Sequence, residues 1–87
     1  MADFLICYDI KDNKRLARFA RKIEKFAIRI EYSVFFAPNF SKEDMAEIAI
    51  EINKLLEDED DVRIYEVEDY GIALGNAVPL EDIFILR

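Results

Sequence analysis

The fold of this chain is decided by its first apolar run, Phe4-Leu5-Ile6-Cys7-Tyr8-Asp9, which ends on a carboxylate. Successive side chains of a strand point to opposite faces, so the even-numbered residues share one face and Cys7 and Asp9 lie on the other. Both faces are largely apolar, as expected of a central strand that is covered on both sides. The run therefore predicts a buried strand over residues 4–10, directly before the basic segment 11–30.

Two helices are predicted from apolar residues that recur at helical spacing. The first covers residues 12–27, and its outward face carries a basic stripe: Arg15, Arg18, Lys22 and Lys25. Ser41 begins the second helix, with the carboxylate of Asp44 at the capping-box position. This helix should end by about Glu57, because the acidic run 57–61 would repel the negative end of the helix dipole. We expect the acidic run to be a solvated loop.

Residues 28–37 show a clear alternation typical of a strand. The even-numbered set is apolar, and we predict that it lies beneath the helices. The odd-numbered set places a cation, a hydroxyl and a large ring (Arg29, Ser33 and Phe35) on the opposite face. The segment should end at Pro38-Asn39, and the pattern leaves open whether it is one bent strand or a tight hairpin.

Three further strands are predicted over residues 62–67, 72–74 and 83–86. The resulting order of elements indicates an α+β fold of ferredoxin-like topology, with an antiparallel sheet that carries two helices on one face. With 87 residues and no linker-like segment, the whole chain, residues 1–87, should form a single domain. Such a sheet leaves one face open to water, which favours a homodimer that covers it.

Composition narrows the possible chemistry. Histidine is absent, which excludes imidazole bases and histidine-ligated metals, and the single Cys7 excludes an intrachain disulfide and a multi-thiolate metal site. There is no leader-like segment and no apolar stretch near the ~18 residues of a membrane span, so we expect a cytoplasmic protein with no membrane partner.

The charge of the chain is unevenly distributed. The net charge is −7, but segment 11–30 has eight cations against two acids, whereas segment 43–69 has twelve acids against two cations. Fields act locally, within about 8 Å at physiological salt, so a basic face can bind phosphates on an acidic protein. The composition therefore permits a nucleic-acid ligand.

Asp9 has two possible roles. A strand-end carboxylate that faces cations can hold a hard metal such as Mg²⁺ near a phosphate, because Mg²⁺ binds through one or two carboxylates and keeps several waters. Asp is also a common helix N-cap after a strand, and the residues alone favour this second role. Three other residues also have two possible roles each. Ser33 could bind a phosphate or be a small polar residue of a half-buried strand, and Arg29 could bind a phosphate or pair with an acid. Phe35 could stack on a base or pack against a partner subunit.

The ordered set of motifs closely resembles the Cas2 family of small CRISPR-associated proteins over nearly the whole chain. The resemblance is carried by Tyr8-Asp9-Ile10, by Lys14-Arg15-Leu16, by the run Arg29 to Phe35, and by the run Asp61 to Tyr65. Glu31 departs from the glutamine that is common at its position, and the acidic second helix departs from generally basic members.

The resemblance implies a ferredoxin-like homodimer with facing sheets and an exchanged C-terminal strand. It implies that Asp9 binds Mg²⁺ (or Mn²⁺) in the dimer cleft, that Asp9 and Ser33 are catalytic, and that Arg15, Arg29 and Phe35 contact the nucleic acid. The basic stripe adds Arg18 and Lys22 as expected nucleic-acid contacts. The implied function is spacer acquisition, as a metal-dependent endonuclease acting on single-stranded RNA or double-stranded DNA, with a CRISPR integrase subunit as partner.

Two alternatives stay open. One is a non-catalytic dimeric adaptor that bridges integrase subunits and DNA along the basic stripe. The other is a ligand-binding regulatory module of the same fold, which the lack of Gly-rich ligand loops disfavours.

Overall fold

The computed structural model describes residues 1–68, so the strands predicted over residues 72–74 and 83–86 lie outside the described part of the chain. Within it the chain forms four strands and two helices: β1 (Ala2–Asp9), α1 (Asn13–Ile23), β2 (Ile28–Glu31), β3 (Val34–Phe40), α2 (Lys42–Asn53) and β4 (Asp61–Val67). None of the described helices is long and apolar enough to cross a membrane.

The strands form one antiparallel sheet in the order β2-β3-β1-β4, which places β1 in the interior, as its two apolar faces predict. Side chains from both helices, among them Phe19 and Ile52, share one core cluster with Phe4, Ile6 and Tyr8 of β1. Both helices therefore lie on the same face of the sheet. The predicted α+β architecture is confirmed.

The two helices begin where local capping chemistry places them. The carboxylate of Asp12 accepts the Arg15 N–H at 2.9 Å, and the hydroxyl of Ser41 accepts the Asp44 N–H at 3.0 Å. Helix α1 ends at Ile23, four residues before the predicted end, because the carbonyl of Ile23 accepts the N–H groups of Phe26 and Ala27 and turns the chain into β2.

Residues 28–37 form a hairpin that turns at Tyr32 and Ser33, which settles the question left open by the sequence. The prediction that the segment ends at Pro38-Asn39 is wrong, because β3 continues to Phe40. A register irregularity opposite β1 accommodates Pro38, and the Asn39 N–H donates to the Asp3 carboxylate at 2.9 Å.

The predicted faces of this hairpin are inverted. Phe35 lies opposite Ile6 in the ladder and is fully buried beneath the helices, whereas Phe36 lies opposite Leu5 on the other face. Tyr32, which the alternation places beneath the helices, is 87% exposed at the turn. Alternation separates two sets of side chains, but only pairing with β1 determines which set the helices cover.

Candidate functional site

Asp9 is the last residue of β1, and its side chain is 64% exposed. Its Oδ2 accepts a hydrogen bond from the Nζ of Lys11 at 2.8 Å, and this bond raises the pKa of the Lys11 ammonium. Helix α1 is capped by Asp12, so the interpretation of Asp9 as the N-cap is wrong. Because ion pairs between exposed side chains are weak, the Asp9 carboxylate is available to a ligand.

Asp61, the first residue of β4, lies directly opposite Asp9 in the antiparallel ladder. Side chains of such pairs share a face and have Cβ atoms about 5 Å apart. Asp61 is itself exposed and paired with Arg63 at 3.3 Å. Asp61 is not recognisable from the sequence as a partner of Asp9, because their pairing depends on the β1–β4 register.

Ser33 lies beside the same end of β1. Its carbonyl accepts the Tyr8 N–H at 3.0 Å, and its backbone has a positive φ of 68°. A non-glycine residue in this region stores local strain, which the surrounding turn must hold. The structure thus brings Ser33 next to the Asp9 strand end, while its catalytic role stays a prediction.

Arg29 extends over a buried aromatic stack next to this strand end. Its guanidinium carbon lies 5.1 Å from the ring centroid of Phe35, which in turn stacks on Tyr8 at 5.6 Å. Burial raises the pKa of the Tyr8 hydroxyl, and the nearby Arg29 charge opposes that shift. Arg29 itself stays half exposed, with Glu24 at 3.9 Å. Arg29 therefore remains a candidate phosphate contact, whereas Phe35 is covered and the prediction of an exposed stacking ring is wrong.

Arg15 is held in a clamp with the loop before β4. Its Nε lies 2.8 Å from Oδ2 of Asp60, and its Nη2 lies 3.0 Å from Oδ1 of Asp60 and 2.7 Å from Glu59. The fully buried Asp60 carboxylate also accepts the backbone N–H groups of Lys11 and Glu57. The bonds from Arg15 hold the pKa of Asp60 well below its usual range.

This clamp corrects two predictions. The acidic run is not wholly solvated, because Asp60 fastens it to the start of α1. Arg15 is only 18% exposed and already carries two carboxylates, so it is not a free phosphate contact in this protomer. No local pattern around Arg15 signals this pairing, because its partner Asp60 lies 45 residues away in the sequence.

The remaining members of the basic stripe differ in their surroundings. Arg18 is exposed and has no ion-pair partner among residues 1–68. Lys22 is partly covered and lines a groove between α1 and α2, close enough to Glu51 to contribute to lowering the pKa of that carboxyl after Lys54. The stripe is therefore not one continuous phosphate-binding surface, and Arg18 is its most accessible member near the start of α1.

The donors at the strand end fit a hydrated Mg²⁺ or Mn²⁺ ion. Asp9 and Asp61 supply hard oxygen ligands, and Mg²⁺ binds through one or two carboxylates while water fills its other positions. Among residues 1–68 there is no group of three or more potential metal-ligating side chains. One protomer thus offers an open site with few protein ligands.

Comparison with known proteins identifies the family. Residues 1–73 match the family model for CRISPR associated protein Cas2. The chain is 38% identical over 72 residues to CRISPR-associated endoribonuclease Cas2 1 of Nitrosomonas europaea, covering 83% of this chain and 69% of the relative. It is 35% identical over 81 residues to CRISPR-associated endoribonuclease Cas2 2 of Thermodesulfovibrio yellowstonii, covering 87% and 88%.

Solved structures share the fold. The hypothetical protein TT1823 from Thermus thermophilus superposes with a TM-score of 0.81 at 25% identity, covering 90% of this chain and 96% of that one. A chain of a partial Cas6-RT-Cas1–Cas2 complex superposes with a TM-score of 0.77 at 23% identity, covering 92% and 91%. The family match and the two relatives agree, and this chain belongs to the Cas2 family of CRISPR-associated proteins.

Proposed function

We propose that this protein is a metal-dependent endonuclease of the spacer-acquisition machinery, in which Asp9 binds Mg²⁺ or Mn²⁺. The observation that carries the proposal is the exposed Asp9 carboxylate, which caps no helix and faces Asp61 across the ladder. A metal bound there would lower the pKa of a bound water and stabilise negative charge on the scissile phosphate.

The chain's own residues supply the surroundings of that site. Arg29, which shares the helix-covered face of the sheet with Phe35, and Arg18 on α1 are accessible cations that can bind phosphates along the nucleic acid. In this proposal the Ser33 hydroxyl hydrogen-bonds a phosphate, and the Ser33 carbonyl, which accepts the Tyr8 N–H, fixes the end of β1. Lys11 neutralises Asp9 until a cation replaces it.

A homodimer with facing sheets is part of the proposal. The face of the sheet opposite the helices carries Leu5, Cys7, Ile28 and Val34, which lie partly exposed in a single protomer. Burying such a face stabilises an assembly by about 25 cal/mol for each Å² of apolar surface removed from water. Asp9 lies on this same face, so a second protomer would bring a second carboxylate to the cleft.

The substrate is single-stranded RNA or double-stranded DNA. The relatives from Nitrosomonas europaea and Thermodesulfovibrio yellowstonii are both named endoribonucleases, which favours RNA as the first substrate to test.

The decisive experiment compares Asp9→Asn with Asp12→Asn in cleavage of end-labelled RNA and DNA, with Mg²⁺ and with a chelator. Asp9→Asn should lower the cleavage rate at least about 100-fold, because metal stabilisation is worth several kcal/mol and each 1.36 kcal/mol is tenfold. Asp12→Asn is the matched control, since Asn is also a good N-cap and should preserve both α1 and activity.

Ser33 is tested by a pair of substitutions. Ser33→Ala removes the hydroxyl but keeps the carbonyl that binds the Tyr8 N–H, so a slower cleavage at unchanged melting temperature would support a role in phosphate binding. Full activity of Ser33→Ala would show that Ser33 serves the turn alone.

The second candidate function is a non-catalytic adaptor that bridges integrase subunits and DNA. It is favoured by one observation, the likeness in fold to a chain from a complex that contains Cas1. If the wild-type protein cleaves neither RNA nor DNA with any divalent metal, yet forms a stable complex with an integrase subunit and DNA, the adaptor function replaces the nuclease proposal. Cleavage that survives Asp9→Asn would remove Asp9 from the proposal.

A further inference from the structure

A groove between α1 and α2, on the side of the molecule away from the open sheet face, plays no part in the proposed nuclease site. It has a volume of about 380 Å³. Phe26, Phe40 and Ile48 form its floor, and the two rings pack edge to face with centroids 5.6 Å apart. All three side chains pack against the core yet remain partly exposed. We call this feature the helix groove.

One side of the helix groove is acidic. Asp44, Glu47 and Glu51 line it from α2, at spacings of three and four residues that place them in one stripe with Ile48. Glu51 is partly balanced by Lys54 at 3.1 Å and by Lys22 across the groove. Asp44 and Glu47 have no ion-pair partner among residues 1–68.

The acids of this stripe differ in what they do for the fold. Asp44 lies in the first turn of α2, where its charge stabilises the helix dipole. Glu47 lies in the middle of the helix, caps nothing and forms no ion pair among the described residues. Its charge, next to an apolar floor, is therefore free to act on a ligand.

We propose that the helix groove is a docking site for a Lys/Arg-rich amphipathic segment of another protein, which inserts an apolar side chain over Phe26, Phe40 and Ile48 and places its cations against Asp44 and Glu47. An apolar centre with a charged rim is the usual anatomy of a protein interface, and opposite charge on the partner sets its orientation. The spacing of the acids along α2 matches cations placed one helical turn apart.

Other occupants fit this surface less well. Nucleic acid is disfavoured, because the unpaired acids would repel phosphates. A second copy of this chain could offer the cations of α1, but the apolar residues of that helix (Phe19, Ala20 and Ile23) are buried in its own core and cannot serve as anchors. The proposal does not depend on the nuclease activity.

The test uses the full-length protein and a fluorescein-labelled amphipathic helical peptide of about 16 residues, roughly four turns, with Leu and Phe on one face and Lys and Arg on the other. Affinity is measured by fluorescence anisotropy. Glu47→Lys should weaken binding at least about tenfold, whereas Glu43→Lys, the same change on the same helix outside the groove, should alter it less than about twofold. Replacing the peptide's Leu and Phe by Ala should also weaken binding at least about tenfold.

Backbone amide shifts of the ¹⁵N-labelled wild-type protein provide a measurement that needs no variant. Peptide titration should shift the signals of Phe26, Phe40 and Ile48 and leave those of β2 unchanged. If Glu47→Lys and Glu43→Lys lose peptide affinity equally, the acids of α2 act only through their general electrostatic field, and the proposal is overturned. Amide shifts that map outside the helix groove would also overturn it. A change in sedimentation with Glu47→Lys alone would assign the groove to a second copy instead.

Discussion

The end of β1 and the loop before β4 each hold a carboxylate opposite a cation, and the two pairs differ in burial and in hydrogen bonding. Asp9 is exposed and accepts one hydrogen bond from a flexible lysine, whereas Asp60 is buried and accepts bonds from Arg15, Lys11 and Glu57. A carboxylate with many fixed donors has no capacity left for a ligand, and one with a single exposed partner does. Residue type and sequence position alone do not distinguish these two cases.

The comparison predicts first that Asp60→Asn strongly destabilises the fold. The substitution removes the buried one of the two carboxylates that pair with the Arg15 guanidinium, leaving only exposed Glu59, and weakens the attachment of the loop to α1. Because loss of one partner of a buried pair is among the most damaging changes, we expect the melting temperature to fall by at least about 10 °C. Asp9→Asn should change it by less than about 2 °C, since exposed pairs contribute little. Thermal unfolding followed by circular dichroism measures the melting temperatures of both variants. Similar shifts would show that the two carboxylates do not differ in their contribution to stability.

The second prediction concerns how the stabilisation by Asp60 depends on pH. The folded-state pKa of Asp60 lies below its unfolded value of ~3.9, so the unfolded chain binds the proton first as pH falls. The stabilisation is fully present above about pH 5 and is lost progressively as pH falls toward the folded-state pKa. The difference in melting temperature between the wild type and Asp60→Asn should therefore narrow from pH 6 to pH 3. A constant difference over that range would show that the ionised form of Asp60 is not what stabilises the loop.

The third prediction separates Arg15 from Arg18 by salt dependence. Each phosphate contact that is lost reduces the slope of log affinity against log salt by about one. Arg18→Gln should weaken nucleic-acid binding with that change in slope and leave the melting temperature unaltered, because Arg18 is exposed. Arg15→Gln should lower the melting temperature and leave the slope unchanged, because its charge is already taken by Asp60 and Glu59. The reverse pattern would show that Arg15 contacts the nucleic acid and that Arg18 does not.

The smallest expected effect is that of Lys11→Ala. Lys11 and a divalent cation compete for the same Asp9 oxygen, so removal of Lys11 should lower the Mg²⁺ concentration needed for half-maximal cleavage. An exposed pair is weak, and a shift of about two- to fivefold is expected. Lys14→Ala, an exposed lysine on the same segment, is the control. An identical shift in both variants would indicate general screening and not direct competition for Asp9.

The residues near the site were predictable to different degrees. The strand that ends at Asp9 followed from its local pattern, whereas the approach of Ser33 to that strand end depends on a hydrogen bond to Tyr8, 25 residues away in the sequence. The position of Phe35 was predicted wrongly, because β3 carries apolar side chains on both of its faces and Phe35 and Phe36 are both buried. Asp9 and Asp61 lie opposite each other because of the register between β1 and β4. These strands are far apart in the sequence, so no local pattern encodes their register.

The amino-acid sequence by itself determined the order of strands and helices, the cap of α2 and the central place of β1, because periodicity and capping act between residues that are near in the chain. Only the tertiary structure decided which face of the β2–β3 hairpin the helices cover and which charges are held by the fold. These depend on strand register and on contacts such as that between Arg15 and Asp60, across 45 residues, where pairing is set by the packing of the whole sheet and not by neighbours in sequence.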